Sequence, residues 1–409
     1  MSKLQAPKGT QDILPAESWK WQALESAARD VAGRYAFREI RTPVFEHTEL
    51  FHRGVGEATD IVTKETYTFE DRGGRSLTLR PEGTAAVVRA LLQAGALDQE
   101  GARSKVFYLF PMLRYERPQK GRMRQHHQFG VEAFGVADPA QDVECIALQR
   151  DFYQAIGLQK LHLRVNSLGD ADSKARYRDQ LRAFLEPKRA DLSEDSQRRL
   201  DTNPLRILDS KVPGDIEACQ GAPVPSDALS DSSRAHFDTA CQLLTDLGIA
   251  FDLDANLVRG LDYYTETLWE FVADDIGAQA AVGGGGRYDA LVQTLGGRPT
   301  PGVGFGLGIE RVLLALEAQN ATLTDGRPPL VWVVNTQAGS VLPLLQELRA
   351  AGISVDADLT GRSVKAQFKL ADRSGAAKVL IAGDQLEVKD MASGEQTVVE
   401  RDALTQALL

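Results

Sequence analysis

Cysteine is scarce in this chain: Cys145, Cys219 and Cys241 are its three thiols, scattered over 409 residues. Their odd number and the lack of C-x-x-C spacing argue against a disulfide frame or a thiolate zinc site. They imply reduced thiols in a cytoplasmic protein. Positive charge is also short, with 47 Lys and Arg against 57 Asp and Glu for a net charge of −10. A nucleic-acid partner usually leaves a basic surplus. Any RNA contact here must therefore come from a local basic loop inside an acidic chain. Long apolar runs are missing too, since no stretch reaches the ~18 residues that a membrane span needs. Residues Met1 to Lys8 carry a cation but no apolar core, so a secretory leader is not expected. What remains is an ordinary globular composition, 43% hydrophobic and 25% charged, in a chain long enough for two or three domains.

Trp21, Leu24, Ala28, Val31 and Tyr35 recur at helical spacing and predict an amphipathic helix. The run from Arg38 to Phe45 reads as a strand, with Pro43 marking an edge or an interface position. Short strands follow at 66–69, 76–80, 106–115 and 128–134, separated by Gly-rich turns, as in an antiparallel sheet of α+β type. Residues 170–248 become helical and charged, an inserted helical module. Strand patterns resume at Phe251 and end in a helix at 309–318. The turn-rich segment Asp325-Gly326-Arg327-Pro328-Pro329 sets a boundary between a domain over 1–325 and a second over 330–409. In the second, strands at 330–335, 353–356 and 378–382 alternate with helices at 341–351 and 363–375. That pattern predicts a small α/β domain with a largely parallel sheet.

Three segments carry chemistry. In the run from Gly302 to Gly308 every second residue is glycine, so one strand face is bare backbone and the other holds Val303, Phe305 and Leu307. Glycine weakens strands, and a plausible return is close approach by a flat purine. Close packing of strand on helix accounts for it equally well. The helix that follows offers its N-terminus to phosphate, with Arg311 in the first turn. The segment Arg114 to Phe129 supplies the missing basic loop, whose Arg forks match phosphate oxygens or an RNA end. Neighbouring strand residues face opposite ways, so His126 and His127 cannot hold one ion, and no metal site is expected. A third cluster joins Leu257 to Tyr264 with the glycine turn and tail Gly283 to Asp289. It is either a polar pocket or a Tyr-rich core beside a flexible turn.

Together these segments resemble the histidine–tRNA ligases, a family of class II aminoacyl-tRNA synthetases, over essentially the whole chain. The three class II motifs look like the segment ending at Pro43, the segment Arg114 to Glu132, and Gly302 to Arg311. The runs Leu-Val-Arg-Gly-Leu-Asp-Tyr-Tyr (257–264) and Gly-Gly-Arg-Tyr-Asp (285–289) point to the histidine enzymes, as do Lys8 to Asp12 and Leu79 to Thr84. The resemblance implies an antiparallel catalytic domain with a helical insertion, followed by an α/β anticodon-binding domain. It also implies a homodimer joined near Pro43, with L-histidine, ATP with Mg²⁺, and tRNA(His) as ligands and no tightly bound cofactor.

It further implies roles. Glu132 and Tyr264 would grip the two imidazole nitrogens, one accepting and one donating. Glu82, Thr84 and Gln128 would receive the α-ammonium, with Tyr263 and Tyr288 completing the histidine pocket. Arg114 and Arg259 would steady the carboxylate and the α-phosphate as the catalytic pair. Arg122 and Arg311 would hold the outer phosphates, Glu116 the adenine amino group, and Gly304 and Gly306 the nucleotide floor. Arg117 and Gln119 would touch the acceptor end. Two positions depart from the family: His126 stands where a phenylalanine usually stacks on adenine, and a loop near Gly383–Glu387 is short. The first suggests weaker or pH-dependent ATP binding. Two rival readings share the fold. One is a regulatory paralogue of histidine biosynthesis, which lacks the C-terminal domain and has a degraded 257–264 run. The other is a class II ligase for another small amino acid, which would not predict Glu132 together with that run.

Overall fold

The computed structural model describes residues 4–56 and 59–408, so residues 1–3 of the opening stretch read above lie outside it. The chain forms two compact units, divided between Thr324 and Asp325.

The strands of the first unit are β1 (Arg38–Glu39), β2 (Phe45–His47), β3 (Tyr67–Glu70), β4 (Ser76–Leu79), β5 (Ser104–Leu113) and β6 (Gln125–Phe134). After them come β7 (His162–Ser167), β8 (Asp252–Leu253), β9 (Thr265–Val272), β10 (Ala281–Arg287) and β11 (Gly302–Gly308). Eight of these make one sheet in the order β1-β5-β6-β11-β10-β9-β7-β8. All its inner pairings are antiparallel, and only the two edge pairs, β1 with β5 and β7 with β8, run parallel. One sheet face carries Phe129, Val131, Val303, Phe305 and Leu307 into a core shared with Trp21, Leu24, Ala28 and Val31. Those four residues lie on the helix Pro15–Arg34, which opens with proline at its first position, where a missing N–H costs nothing. The opposite face is left for the site.

The run 38–45 is not one strand. Arg38 and Glu39 pair with β5, Ile40 N–H donates to the Phe107 carbonyl, and Phe45 to His47 join a separate three-stranded sheet beside β4. Pro43 falls in the gap between them, where no ladder donor is needed. Between β7 and β8 the chain is helical, with helices Ala171–Leu185, Glu194–Thr202, Pro213–Ala218 and Asp231–Asp246. Leu181, Leu185, Leu192, Leu200 and Ile207 give this stretch a small core of its own.

The second unit contains β12 (Val331–Asn335), β13 (Val355–Ala357), β14 (Lys378–Ala382), β15 (Leu386–Asp390) and β16 (Gln396–Val398), in the order β13-β12-β14-β15-β16. The first three are parallel, as the alternation of strand and helix predicts, while β15 and β16 add on antiparallel. This last hairpin pair is absent from the sequence reading, which took 383–387 only as a shortened loop. Gly383 to Gln385 are the tight turn itself, in which Gly383 N–H donates to the Gln385 carbonyl, and Leu386 and Glu387 already belong to β15.

Candidate functional site

The exposed sheet face is built by register. Tyr108, Gly130, Gly306, Gly284 and Glu270 lie opposite one another across five neighbouring strands. In the next row Glu132, Gly304, Gly286 and Leu268 are aligned. The segment Gly283 to Gly286, read above as a flexible turn, is therefore a central strand paired on both sides. Glycine is poor in strands, but packing decides here. A methyl on Gly285 would strike the Gly304 carbonyl and lie 2.8 Å from Phe305 Cα, and one on Gly304 would strike the Glu132 carboxylate. At Gly306 and Gly308 an added methyl would meet only ordinary contacts, 3.5 Å from Gln128 and 3.9 Å from Arg311. Within the run 302–308, Gly302 and Gly304 are thus fixed by Tyr288, Phe134 and the neighbouring strand and not by packing of the strand on a helix, while Gly306 and Gly308 leave a bare face.

Two cavities stand on this floor and share Arg114, Gln128, Arg259 and Gly306. The smaller, about 70 Å³, is lined by Glu82, Thr84, Tyr263, Tyr264, Tyr288 and Gly304 as well. Gly304, assigned above to the nucleotide, thus lines the amino-acid side. Glu132 sits behind this cavity, 1% exposed. Its Oε1 accepts from the Thr84 hydroxyl at 2.7 Å and the Tyr108 hydroxyl at 3.3 Å, and its Oε2 accepts from Tyr288. Burial, reinforced by the nearby Glu82 charge, raises the Glu132 pKa to about 8 against the opposing hydroxyl bonds. The rings of Tyr263, Tyr264 and Tyr288 pack on one another, with centroids 4.8, 5.5 and 6.4 Å apart. Glu82 is tied to backbone, accepting from Thr84 N–H at 2.8 Å and Ala85 N–H at 2.9 Å at the start of helix Thr84–Gln93. Both bonds fix its carboxylate while burial raises its pKa.

The second cavity, about 170 Å³, adds Glu116, Arg122, His126, Gly308, Glu310 and Arg311. Arg122 pairs with Glu116 and stands 3.8 Å from Glu65, so the carboxylate assigned to adenine is held by its own loop. Arg259 Nη1 pairs with Glu270 at 2.7 Å, and Arg114 Nε donates to the Pro81 carbonyl at 2.7 Å. Arg311 Nη1 donates to the Ala281 carbonyl at 2.9 Å from the first turn of helix Ile309–Ala318. Burial and the neighbouring Arg122 and Arg114 lower its pKa to about 10, which leaves it charged. His126 and His127 do diverge: His127 meets the Trp21 ring and Glu310, whereas His126 lines the cavity. Burial and the Arg114 and Arg311 charges push the His126 imidazole well below 6.5. That direction favours the neutral ring at this position. Arg117 and Gln119 lie exposed outside both cavities, beside a tight turn in which Gln119 and Arg122 exchange backbone bonds of 3.0 and 2.9 Å.

Sequence reasoning missed Tyr108, Glu270 and Glu310. Tyr108 and Glu270 occupy the site face because their strands register against Gly130 and Gly284. A period-2 reading of β5 and β9 anchored on those glycines gives the signal. Arg287, inside a noted motif, is fully buried and pairs with Asp142 and Asp289, a packing role.

An antiparallel sheet with a glycine-floored double cavity, an Arg-bearing strand–loop–strand and a terminal Arg on the following helix defines a class II aminoacyl-tRNA synthetase fold. Residues 9–312 match the family model described as Histidyl-tRNA synthetase, and 331–409 match Anticodon binding domain, so the chain belongs to the histidyl-tRNA synthetase family. It is 51% identical to the histidine–tRNA ligase of Geobacillus thermodenitrificans, over 99% of this chain and 98% of that one. It is also 51% identical to that of Thermosynechococcus vestitus, over 98% and 95%. Apo histidyl-tRNA synthetase of S. aureus superposes with a TM-score of 0.82 at 39% identity, covering 99% of this chain and all of the other. Among the described residues no helix is long and apolar enough to cross a membrane.

Proposed function

We propose that the protein activates L-histidine with ATP and transfers the histidyl group to tRNA(His), with Glu132 as the residue that selects the amino acid. The observation that carries this reading is the buried Glu132 carboxylate behind a small polar cavity of about 70 Å³, beside a second cavity lined by arginines. An imidazole N–H adds a matched donor to a carboxylate that already accepts from Thr84, Tyr108 and Tyr288, whereas an apolar substrate offers it nothing. Tyr264, on the same cavity, donates to the other ring nitrogen. Gln128, Glu82 and the Thr84 oxygen receive the ammonium, while Tyr263 and Tyr288 close the walls.

In the first step a histidine carboxylate oxygen attacks the α-phosphorus, the bond to the bridging oxygen breaks, and diphosphate leaves. No enzyme nucleophile is required, so the chain's work is positioning and charge neutralisation. Arg114 and Arg259 line both cavities and sit where carboxylate and α-phosphate meet. Arg311 and, on release from Glu116, Arg122 take the outer phosphates. Gly306 gives the nucleotide its bare floor, His126 stacks on adenine as a neutral ring, and Glu116 accepts from the adenine amino group. Mg²⁺ enters as part of the nucleotide substrate. The cavity's carboxylates are already engaged by Arg259, Arg122 and His127, and no cluster of three His, Cys, Asp or Glu suited to a metal occurs among the described residues. In the second step a terminal ribose hydroxyl attacks the acyl carbon and AMP departs, with Arg117 and Gln119 against the acceptor end. The C-terminal unit binds the anticodon region, and exposed Val44 and Phe45 beside Pro43 fit a homodimer contact.

Pyrophosphate exchange with each amino acid in turn tests the reading. Exchange with histidine alone, abolished in Glu132→Ala and Tyr264→Phe, is expected. No exchange with any amino acid would favour a regulatory protein, and exchange with a different amino acid would overturn the histidine assignment.

A further inference from the structure

A cavity of about 410 Å³ in the catalytic unit belongs to neither substrate pocket. It lies between helix Thr48–Val55, the inserted helix Ala171–Leu185 and the segment leading into β9, within the 300–1,000 Å³ usual for small-molecule sites. Its one residue in common with the amino-acid cavity is Tyr263. The amino-acid cavity thus shares four lining residues with the nucleotide cavity and Tyr263 with this third one.

The walls are chemically specific. Lys174, on the inserted helix, donates to the Asp262 carbonyl at 2.5 Å and the Tyr264 carbonyl at 2.9 Å, which leaves one ammonium N–H. Arg178, one turn further along, is exposed at the rim and makes no ion pair among the described residues. Asn203 donates to Asp262 Oδ1 at 2.6 Å, which fixes its amide so that Oδ1 faces away. That buried oxygen and the Thr265 hydroxyl, both on lining residues, have no hydrogen-bond partner. Cations at the rim with unpaired acceptors within call for a ligand bearing both a phosphate and N–H or O–H donors.

We propose that this cavity receives the 3′-terminal nucleotide of the RNA acceptor. Its phosphate lies on Arg178 and Lys174, and its amino or hydroxyl donors meet Asn203 and Thr265. The inference rests on the ligase reading above and adds the route of the second substrate. AMP fills the nucleotide cavity in the adenylate, so the attacking ribose must reach the acyl carbon from another side, and Tyr263 marks the opening. Unstacked RNA ends are bound in this manner, by phosphate charge, aromatic walls and base-edge bonds.

The test separates the two steps. Pyrophosphate exchange reads activation alone. Rapid-quench transfer from preformed histidyl-adenylate to full-length tRNA(His) reads the second step alone. Arg178→Glu reverses the rim charge and Ala175→Trp fills the cavity. Both are expected to slow transfer by about tenfold or more while exchange is unchanged, as for loss of a charge-assisted phosphate contact. Arg178→Lys is expected to keep most of the transfer rate. Transfer at the unsubstituted rate in Ala175→Trp would overturn the proposal. Absent histidine-dependent exchange in the unsubstituted protein would instead reject the ligase reading itself.

Discussion

Replacing Glu132 by glutamine should make the protein more stable and inactive, and the gain should depend on pH. In the folded chain burial raises this carboxyl from 4.5 to about 8. The folded state therefore binds the proton more tightly than the unfolded one. Stability falls as pH climbs from 4.5 and levels off above 8. Each unit is worth about 1.36 kcal/mol, so the raised pKa of Glu132 costs about 3 kcal/mol at pH 7, where the folded carboxyl keeps its proton, and about 5 kcal/mol well above pH 8, where it is ionised. Glutamine removes that cost but brings an amide N–H₂ among the Thr84, Tyr108 and Tyr288 hydroxyls, all of which now donate. At least one must turn round and accept, at a cost of about 1 kcal/mol. The net expectation is stabilisation of about 2 kcal/mol at pH 7, more at pH 8.5, and none at pH 5. Thermal melting of both proteins at the three pH values measures it, following the transition of the catalytic unit. A melting difference that is the same at pH 5 and pH 8.5 would show that burial does not shift this carboxyl, and the reasoning fails. Histidine-dependent exchange in the same variant should fall by about 10²-fold or more, since an amide cannot become the carboxylate that an imidazole N–H requires.

Gly285→Ala should prevent folding of the catalytic unit, because its methyl meets backbone that cannot move aside; a soluble variant with an unchanged melting temperature would contradict this. Gly306→Ala should fold normally yet raise the KM for ATP, as its methyl enters open space above the floor, and an unchanged KM would remove Gly306 from the nucleotide site. The ratio of ATP KM between His126→Phe and the unsubstituted protein should be constant from pH 6 to pH 8, because burial and the Arg114 and Arg311 charges favour the neutral imidazole; a ratio that drifts several-fold would indicate a titrating His126. Arg287→Met should destabilise by about 3 kcal/mol by stripping the buried Asp142 carboxylate of its guanidinium and leaving it His236 at 2.8 Å, and a denaturant midpoint close to the unsubstituted one would refute it.

Much of this could be read from the chain. Helix Pro15–Arg34 follows from its buried spacing, and helix Ile309–Ala318 begins where the glycine run ends. The α/β tail shows in its alternation. The failures have a common physical origin, in that local propensity cannot see the neighbouring strand. Gly283 to Gly286 look like a turn until β9 and β11 close on them. Residues 38–45 look like one strand until the two ends find different sheets. For the site, residue types pointed to the two cavities, but not to how the residues hold one another. Nothing local says that Arg122 rests on Glu116, that Tyr108 reaches Glu132, or that Glu82 is fastened to the start of a helix.

A single choice of side chains explains why the site sits on a sheet. Strand register delivers rows of residues at fixed spacing, and removing Cβ atoms from the middle of two rows opens a flat floor while functional groups remain at both ends of one row and at one end of the other. In one row Tyr108 and Glu270 flank three glycines, and in the next Glu132 stands beside two. The glycines lower strand stability, and the buried carboxylate lowers it further as pH rises. Both costs are offset on the other face, where Phe129, Val131, Val303, Phe305 and Leu307 are buried at 2% exposure or less. The alternation of the β-strand thus lets one segment, Gly302 to Gly308, build core and floor at once. A substitution at an odd-numbered position there should register in stability, and one at Gly306 in nucleotide binding.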